Sequence, residues 1–196
     1  MSFNVVITGV GGQGNVLASR ILAQAAMHYG LDVRTSEAIG MAQREGVVMS
    51  QVRMGDNLYS ALIPNGMGDV LLGFELAETV RGLPKINKNA VVVANQSSIV
   101  PVSTTLGVSQ YHRDQLIGYL KENTNNLYLF DATALAKQAG THKAVNIVML
   151  GALAALNVLP YDKEHLLEIV LRAVPEKFKE INIKAFELGF EAVEVN

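Results

Sequence analysis

The residues of this chain best suited to chemistry are glycines. Gly9, Gly11 and Gly14 have the G-x-G-x-x-G spacing within Gly9-Val10-Gly11-Gly12-Gln13-Gly14. Such a run lets the backbone turn tightly, approach an anion closely, and aim N–H groups and the positive end of a following helix at a phosphate. Gln13 adds an uncharged amide to the turn. Two readings stand side by side: a phosphate cradle, or glycines that serve only tight strand–helix packing. A second group, Glu37, Arg44, Glu45 and Arg53, concentrates charge in a short stretch that also holds Gly40, Gln43 and Gly46. Arg44 and Arg53 could fork onto a partner carboxylate or a cofactor phosphate, or could pair within the chain with Glu37 or Glu45.

The remaining reactive types offer less. His28, His112, His142 and His165 have no carboxylate or second histidine at metal-ligand spacing, so solvated or capping roles are expected, with His165 on an exposed helix face. Ser97-Ser98 and Ser103-Thr104-Thr105 lack the G-x-S-x-G elbow of a nucleophilic serine and suit a loop that satisfies its own turns. Cysteine is absent, which removes disulfides, a thiol nucleophile and the thiolates that hold iron–sulfur clusters. No catalytic residue and no metal ligand is assigned.

The elements around the glycines follow an α/β pattern. Phe3 to Thr8 is a β-branched run, and Asn15 to Tyr29 carries Val16, Leu17, Ile21, Leu22 and Ala25 at helical spacing before Gly30 stops it. Leu31 to Ser36 is expected to be a second strand beside the first. Val47 to Met54, the turn Gly55-Asp56-Asn57 and Leu58 to Ile63 read as an inserted β-hairpin. The alternation then resumes with strands at Asp69 to Gly73, Ala90 to Ala94 and Leu127 to Phe130, and helices at Glu75 to Arg81, His112 to Lys121 and Ala132 to Gln138. Helices at Val145 to Asn157, Lys163 to Ala173 and Glu176 to Phe190 complete the chain, with Asp162 placed to cap the second. Within the first of these, Gly151 would permit a close helix crossing. The loop Gln96 to Ser109 is the expected mobile segment. The fold class is α/β, a Rossmann-like, mostly parallel sheet with an inserted hairpin and a helical C-terminal portion, in one domain over 1–196.

That hairpin occupies the place of the second helix of an ordinary dinucleotide domain, and Glu37 is the passable candidate for a ribose-binding acid. A stand-alone dinucleotide oxidoreductase is therefore the alternative reading. The net charge of −2 excludes a broad positive field for nucleic acid. Val145 to Leu159, the longest mostly apolar stretch, is shorter than the roughly 20 residues that span a bilayer. Met1-Ser2-Phe3-Asn4 runs into Val5-Val6-Ile7 without a basic stretch, so no secretory signal is read and the cytoplasm is the expected address. At 49% hydrophobic residues the chain has material for a core and for a homodimer when isolated.

Taken in order, the glycine run, Ser36-Glu37-x-x-Gly40-Met41-Ala42-Gln43-Arg44-x-Gly46, Ser50-x-Val52-Arg53, Ser60-x-Leu62-Ile63-Pro64, Asp69-Val70-Leu71-Leu72-Gly73-Phe74-Glu75 and Asn146-x-x-Met149-Leu150-Gly151-Ala152 resemble the gamma-type subunit of 2-oxoacid:ferredoxin oxidoreductases. This is the pyruvate, ketoisovalerate and indolepyruvate family, and the likeness is greatest to the indolepyruvate type. Ile39, where those members often carry histidine, Glu45 and Asn15 depart from the pattern and leave the substrate open. The resemblance implies an assembly that decarboxylates a 2-oxoacid oxidatively to acyl-CoA and passes electrons to ferredoxin. Thiamine diphosphate and iron–sulfur clusters are then expected in partner subunits, because this chain lacks cysteine and the Gly-Asp-Gly thiamine motif. Coenzyme A, shared with a partner, is the implied ligand of Gly9, Gly11, Gly12, Gln13 and Gly14. Glu37, Gly40, Gln43, Arg44, Gly46 and Arg53 would line that site or the partner contact. The isolated chain is expected to be inactive.

Overall fold

The computed structural model describes residues 2–40, 46–100, 104, 107 and 110–194. The first strand, β1 (Ser2–Val10), is buried on both faces from Asn4 onward, as its unbroken apolar run requires. Helix α1 (Asn15–His28) follows the glycine turn, then β2 (Val33–Ile39) and β3 (Val47–Gly55). Next come β4 (Gly68–Gly73), α2 (Leu76–Gly82), β5 (Ile86–Asn95), α3 (Arg113–Asn123), β6 (Asn126–Phe130) and α4 (Ala132–Ala139). Three helices end the described chain: α5 (Val145–Ala155), α6 (Lys163–Ala173) and α7 (Lys179–Glu194). Asp162 caps α6 as expected, its Oδ1 accepting the His165 N–H at 2.8 Å.

The six strands lie in the order β2-β3-β1-β4-β5-β6. β1, β4, β5 and β6 are mutually parallel, and β3 runs antiparallel to both of its neighbours. The mixed, mostly parallel α/β sheet is the expected class, but the hairpin is a different one. Val47–Gly55 pairs backward with β2 and with the whole length of β1, so β2 does not sit beside β1. Leu58 to Ile63 forms no strand. Both edges of β3 are already occupied, which leaves no ladder for Leu58 to Ile63 to join. That segment instead leaves the sheet, buries Leu58 and Ile63, and is held where Gln51 Oε1 accepts the Ile63 N–H at 2.7 Å.

One face of the sheet carries the main core, in which Val5, Ile7, Val52, Val70, Leu72 and Phe74 meet α1, α5, α6 and α7. The other carries a smaller cluster of Val6, Ile63, Leu71, Val92 and Ala94, with the Gly82 end of α2 packed on Leu71 and Thr8 and α3 beside α2. Nearly every residue of α5 is buried, as expected of a helix that is apolar all round. It crosses α7 through two glycines. A Cβ on Gly151 would overlap the Phe186 carbonyl, and one on Gly189 the Val148 carbonyl. The sequence pointed to Gly151; Gly189 emerges only from the packing.

Candidate functional site

The glycine turn is built by the strand that enters it and the helix that leaves it. Gly11 N–H donates to Gly46 O at 2.9 Å, tying the turn to the start of β3. The Gln13 side chain is spent inside the turn: Nε2 donates to Phe74 O at 3.0 Å, and Oε1 accepts the Val10 N–H at 2.9 Å. Gln13 therefore locks β1 to β4 and does not offer its amide outward. Gly14, at φ 86, is the N-cap of α1. It supplies no side-chain cap, and the first turn holds no acidic residue, so among the described residues that turn's N–H groups have no side-chain acceptor. An uncapped N-terminus of this kind favours an anion. Gly9 is packed beneath, where a Cβ would collide with the side chains of Gln13 and Asn15.

The turn opens onto a cleft of about 440 Å³, with Gly11, Gly12 and Gln13 as its floor. It lies outside the carboxyl ends of the parallel strands, beside the point where α1 and α2 leave for opposite faces, the usual ligand position of open α/β sheets. Ser97 and Ile99 form one wall; Thr133 with His142, Lys143 and Val145 forms the other. Among the described residues no carboxylate lines it, and Lys143 is exposed. Ser97, Thr133, His142 and Lys143 were not singled out as ligand residues from sequence. Ser97 and Thr133 follow β5 and β6, so the strand order alone would have found them. His142 and Lys143 arrive from the start of α5, for which no local signal exists.

Two buried side chains shape the rim. Asn95, with no exposure, donates from Nδ2 to Phe74 O at 3.2 Å and Thr133 Oγ1 at 3.1 Å, and accepts at Oδ1 from the Ser97 and Ala132 N–H groups. Glu75, 1% exposed, caps α2 through the Glu78 N–H at 2.9 Å. Its other oxygen accepts from Tyr111 Oη at 2.7 Å and Ile99 N–H at 3.2 Å, fastening the Ile99 wall. Burial, reinforced by the bond to Glu75, pushes the Tyr111 phenol up to about 12. Glu78, buried beside Glu75, is raised by its desolvation against the pull of Arg81.

The charged stretch divides. Glu37 is exposed, with Ser19 Oγ as its hydrogen-bond donor at 3.4 Å. Gly40 and Gly46 sit at the rim beside the glycine turn, with Gly40 N–H bonded to Val47 O at 2.7 Å. Gln43 and Arg44 lie outside the described residues. Arg53 is elsewhere. It pairs with Asn4 while Val48 pairs with Gly9, which puts it about 17 Å down the strand at roughly 3.4 Å per residue. Its guanidinium bonds Asn4 Oδ1 at 2.9 Å and the Ser60 and Leu62 carbonyls at 3.0 and 3.3 Å, so its pairing is intrachain, with neutral acceptors in place of Glu37 or Glu45. Arg53→Ala is expected to cost about 1–2 kcal/mol in urea unfolding, while ligand affinity in the cleft stays unchanged.

The histidines also divide. His28 is exposed at the end of α1. His165 is not on a free helix face as expected; its Nε2 lies 2.8 Å from Ala25 O, and its ring packs on Tyr29 and Tyr161. Among the described residues no group of three or more His, Asp or Glu could hold a metal, and no helix is long and apolar enough to cross a membrane.

Residues 4–192 match the family described as pyruvate ferredoxin/flavodoxin oxidoreductase. The chain is 40% identical over 192 residues to the indolepyruvate oxidoreductase subunit IorB of Pyrococcus horikoshii, covering 97% of this chain and 95% of that one. It is 28% identical to the pyruvate synthase subunit PorC of Methanothermobacter thermautotrophicus, over 95% and 93% of the two chains. Among solved structures it superposes on the gamma subunit of a keto/oxoacid ferredoxin oxidoreductase from Geobacter sulfurreducens with a TM-score of 0.73 at 28% identity, over 99% of each chain. It also shares the fold of a segment of 2-oxoglutarate:ferredoxin oxidoreductase from Magnetococcus marinus, solved with coenzyme A and succinyl-CoA bound, at a TM-score of 0.74, 20% identity and 31% of that longer chain. The uncapped glycine turn at a carboxyl-end cleft, the lone antiparallel strand between β1 and β2, and sequence similarity from end to end place this chain in the pyruvate ferredoxin/flavodoxin oxidoreductase family.

Proposed function

We propose that this chain is the gamma-type subunit of a cytoplasmic 2-oxoacid:ferredoxin oxidoreductase acting on indolepyruvate or a related 2-oxoacid, and that its cleft takes the phosphate-bearing part of coenzyme A. The observation that carries this reading is the cleft itself: an uncapped N-terminus at Gly14 with no carboxylate among the described residues of its walls. The 2-oxoacid loses carbon dioxide, two electrons pass to ferredoxin, and the acyl group joins the coenzyme A thiol. Thiamine diphosphate and the iron–sulfur clusters that carry out those steps belong to partner subunits, since this chain has no cysteine. Its own part is to bind and orient coenzyme A. A stand-alone dinucleotide enzyme fits less well, because β3 stands where the strand after α1 would lie and Glu37 is turned toward Ser19.

Purification of the tagged chain from its native cell is expected to recover a thiamine-dependent, cluster-bearing partner, while the isolated chain neither turns over a 2-oxoacid nor binds NADH. In the assembled enzyme, Gly12→Glu is expected to weaken coenzyme A at least about tenfold by setting a carboxylate beside the phosphate. Gly12 has φ 91, so Gly12→Ala serves as the control for backbone strain. Unchanged affinity in the Gly12→Glu enzyme rules out the coenzyme A assignment, and turnover by the isolated chain rules out the subunit assignment.

A further inference from the structure

Away from the cleft, the outer side of α1 borders a groove of about 700 Å³. The helix turns Ala18, Ile21, Leu22 and Ala25 into the main core. Its 3.6-residue period then places Leu17, Arg20, Gln24, Met27 and His28 on the opposite side, all exposed and all lining the groove. Ile169, Arg172 and Ala173 of α6 form the second wall. Two contacts hold that wall in place, one from Tyr161 Oη to Leu22 O at 3.2 Å and one between His165 Nε2 and Ala25 O, 2.8 Å apart. From Leu17 to His28 the wall of α1 rises about 16 Å at roughly 1.5 Å per residue, about three turns of helix, and leads away from the glycine turn.

The lining is not that of an ordinary solvated face. Leu17 and Met27, 37% and 55% exposed, stand toward the two ends of the stripe, with Ile169 and Ala173 on the facing wall, so apolar surface runs along the groove. Among the described residues no carboxylate lines it. Arg20 is exposed and has no ion-pair partner among the described residues. Arg172 pairs with Glu168, one turn back on its own helix, in an exposed pair that holds its charge weakly. Apolar anchors flanked by two arginines fit the helix-in-groove mode of recognition, in which the apolar face binds and the charges select the partner. A second copy of this chain is a poor occupant, since a two-fold contact sets Arg20 and Arg172 against themselves with no acid in the groove to answer them.

We propose that the groove between α1 and α6 receives an acidic, amphipathic helix of about three turns from a partner subunit of the same enzyme, with its apolar side chains on Leu17, Met27 and Ile169 and its carboxylates on Arg20 and Arg172. Arg172 exchanges Glu168 for the partner's acid, and Arg20 gains the pair it lacks. The proposal rests on the reading of this chain as a subunit and is independent of the coenzyme A assignment. Arg20, Gln24 and Arg172 are exposed on helices whose apolar faces point inward, so replacing them leaves the core intact.

The absence of cysteine from this chain makes a single introduced thiol informative. In Gln24→Cys, maleimide labelling at that position is expected to be at least about tenfold slower in the assembled enzyme than in the isolated chain. A photoreactive maleimide placed there should join, in the assembled enzyme, a partner-subunit peptide with Asp or Glu at helical spacing. Arg20→Glu combined with Arg172→Glu should raise the dissociation constant of the assembled enzyme at least about tenfold, read by sedimentation over a dilution series, while the isolated chain keeps its urea midpoint. Reversing the cross-linked peptide's acid to Lys should recover most of that loss. Equal labelling rates, a cross-link to a second copy or to a peptide without acids, or undiminished association of the double variant would each overturn the proposal. If tagged purification recovers no partner, the subunit reading falls and takes the groove with it; if the partner is recovered and the groove still labels freely, only the groove falls.

Discussion

Gly151→Val is expected to abolish the native packing of the C-terminal helices, and Gly151→Ala to lower stability in urea unfolding by about 3 kcal/mol or more. The reason is how close α5 comes to α7. The added Cβ would lie inside the Phe186 carbonyl, a backbone group that no rotamer change can move. Gly189 meets the Val148 carbonyl in the same way, so the two glycines form a reciprocal pair across one crossing. Separating the helices to admit a methyl group would loosen Val148, Met149 and Phe186 against the main core and forfeit close-packed contacts along both elements. Gly189→Ala should cost a similar amount. The double variant should cost less than the sum, because the first substitution already forces the helices apart. A Gly151→Ala protein with an unchanged unfolding midpoint would show that the crossing is wider than described. The consequence reaches the cleft, since α5 also carries Val145 and Asn146 at its other end.

Glu75→Ala is expected to be the most damaging single change at the rim, lowering stability by about 2–4 kcal/mol. Loss of the α2 cap alone accounts for about 1 kcal/mol. The rest comes from the Ile99 N–H and the Tyr111 hydroxyl, which lose their shared acceptor at a buried position. Glu75→Gln keeps an acceptor oxygen and should fall between the two. Tyr111 gives a readout specific to this contact. Its phenol is raised above the ordinary value near 10 to about 12 in the folded chain, by burial first and by Glu75 second. A pKa raised on folding means that the fold favours the neutral phenol. The associated stabilisation is present below pH 10 and is lost as the pH climbs toward 12. Ultraviolet titration of the wild type should show two late tyrosines, Tyr111 and the buried Tyr161, whose phenol burial alone pushes up, and Glu75→Ala should move only Tyr111 back toward 10. Two late tyrosines persisting unchanged in Glu75→Ala would refute Glu75 as the partner of Tyr111, since Tyr161 stays late in either case. Coenzyme A affinity should drop in the same variant, because the Ile99 wall is no longer tethered.

Much of the architecture was legible because it is local. A β-branched run, a glycine turn and a 3.6-residue apolar period need no tertiary information, and β1, α1 and the helices from Val145 onward lie where those signals put them. Lys163–Ala173 matches to the residue, because Asp162 caps one end and Pro175 stops the chain just beyond the other. The glycine motif likewise marked the place of the cleft, since the turn and the helix that form it are consecutive in the chain.

Strand partnership was not legible, because alternation shows that a segment is half-buried and says nothing of what covers it. Val47–Gly55 could pair forward or backward, and only the packing of β1 against it decided in favour of β2. Arg53 shows the same limit. Its spacing from Arg44 suggests one site, yet an extended strand carries it to the far end of the sheet, where three carbonyl oxygens take up its charge. Gln13 sits in the motif but turns inward. Ser97, Thr133 and Lys143 lie 83, 119 and 129 residues beyond Gly14, out of reach of any local motif, and only the parallel order of the strands and the docking of α5 bring them to one rim. The sequence by itself determined the elements, the glycine turn and the absence of thiolate chemistry, all of which depend on residue type and near neighbours. The tertiary structure alone decided which strand fills each edge, which side chains face the cleft, and that α5 meets α1 there, because those follow from packing between segments far apart in the chain.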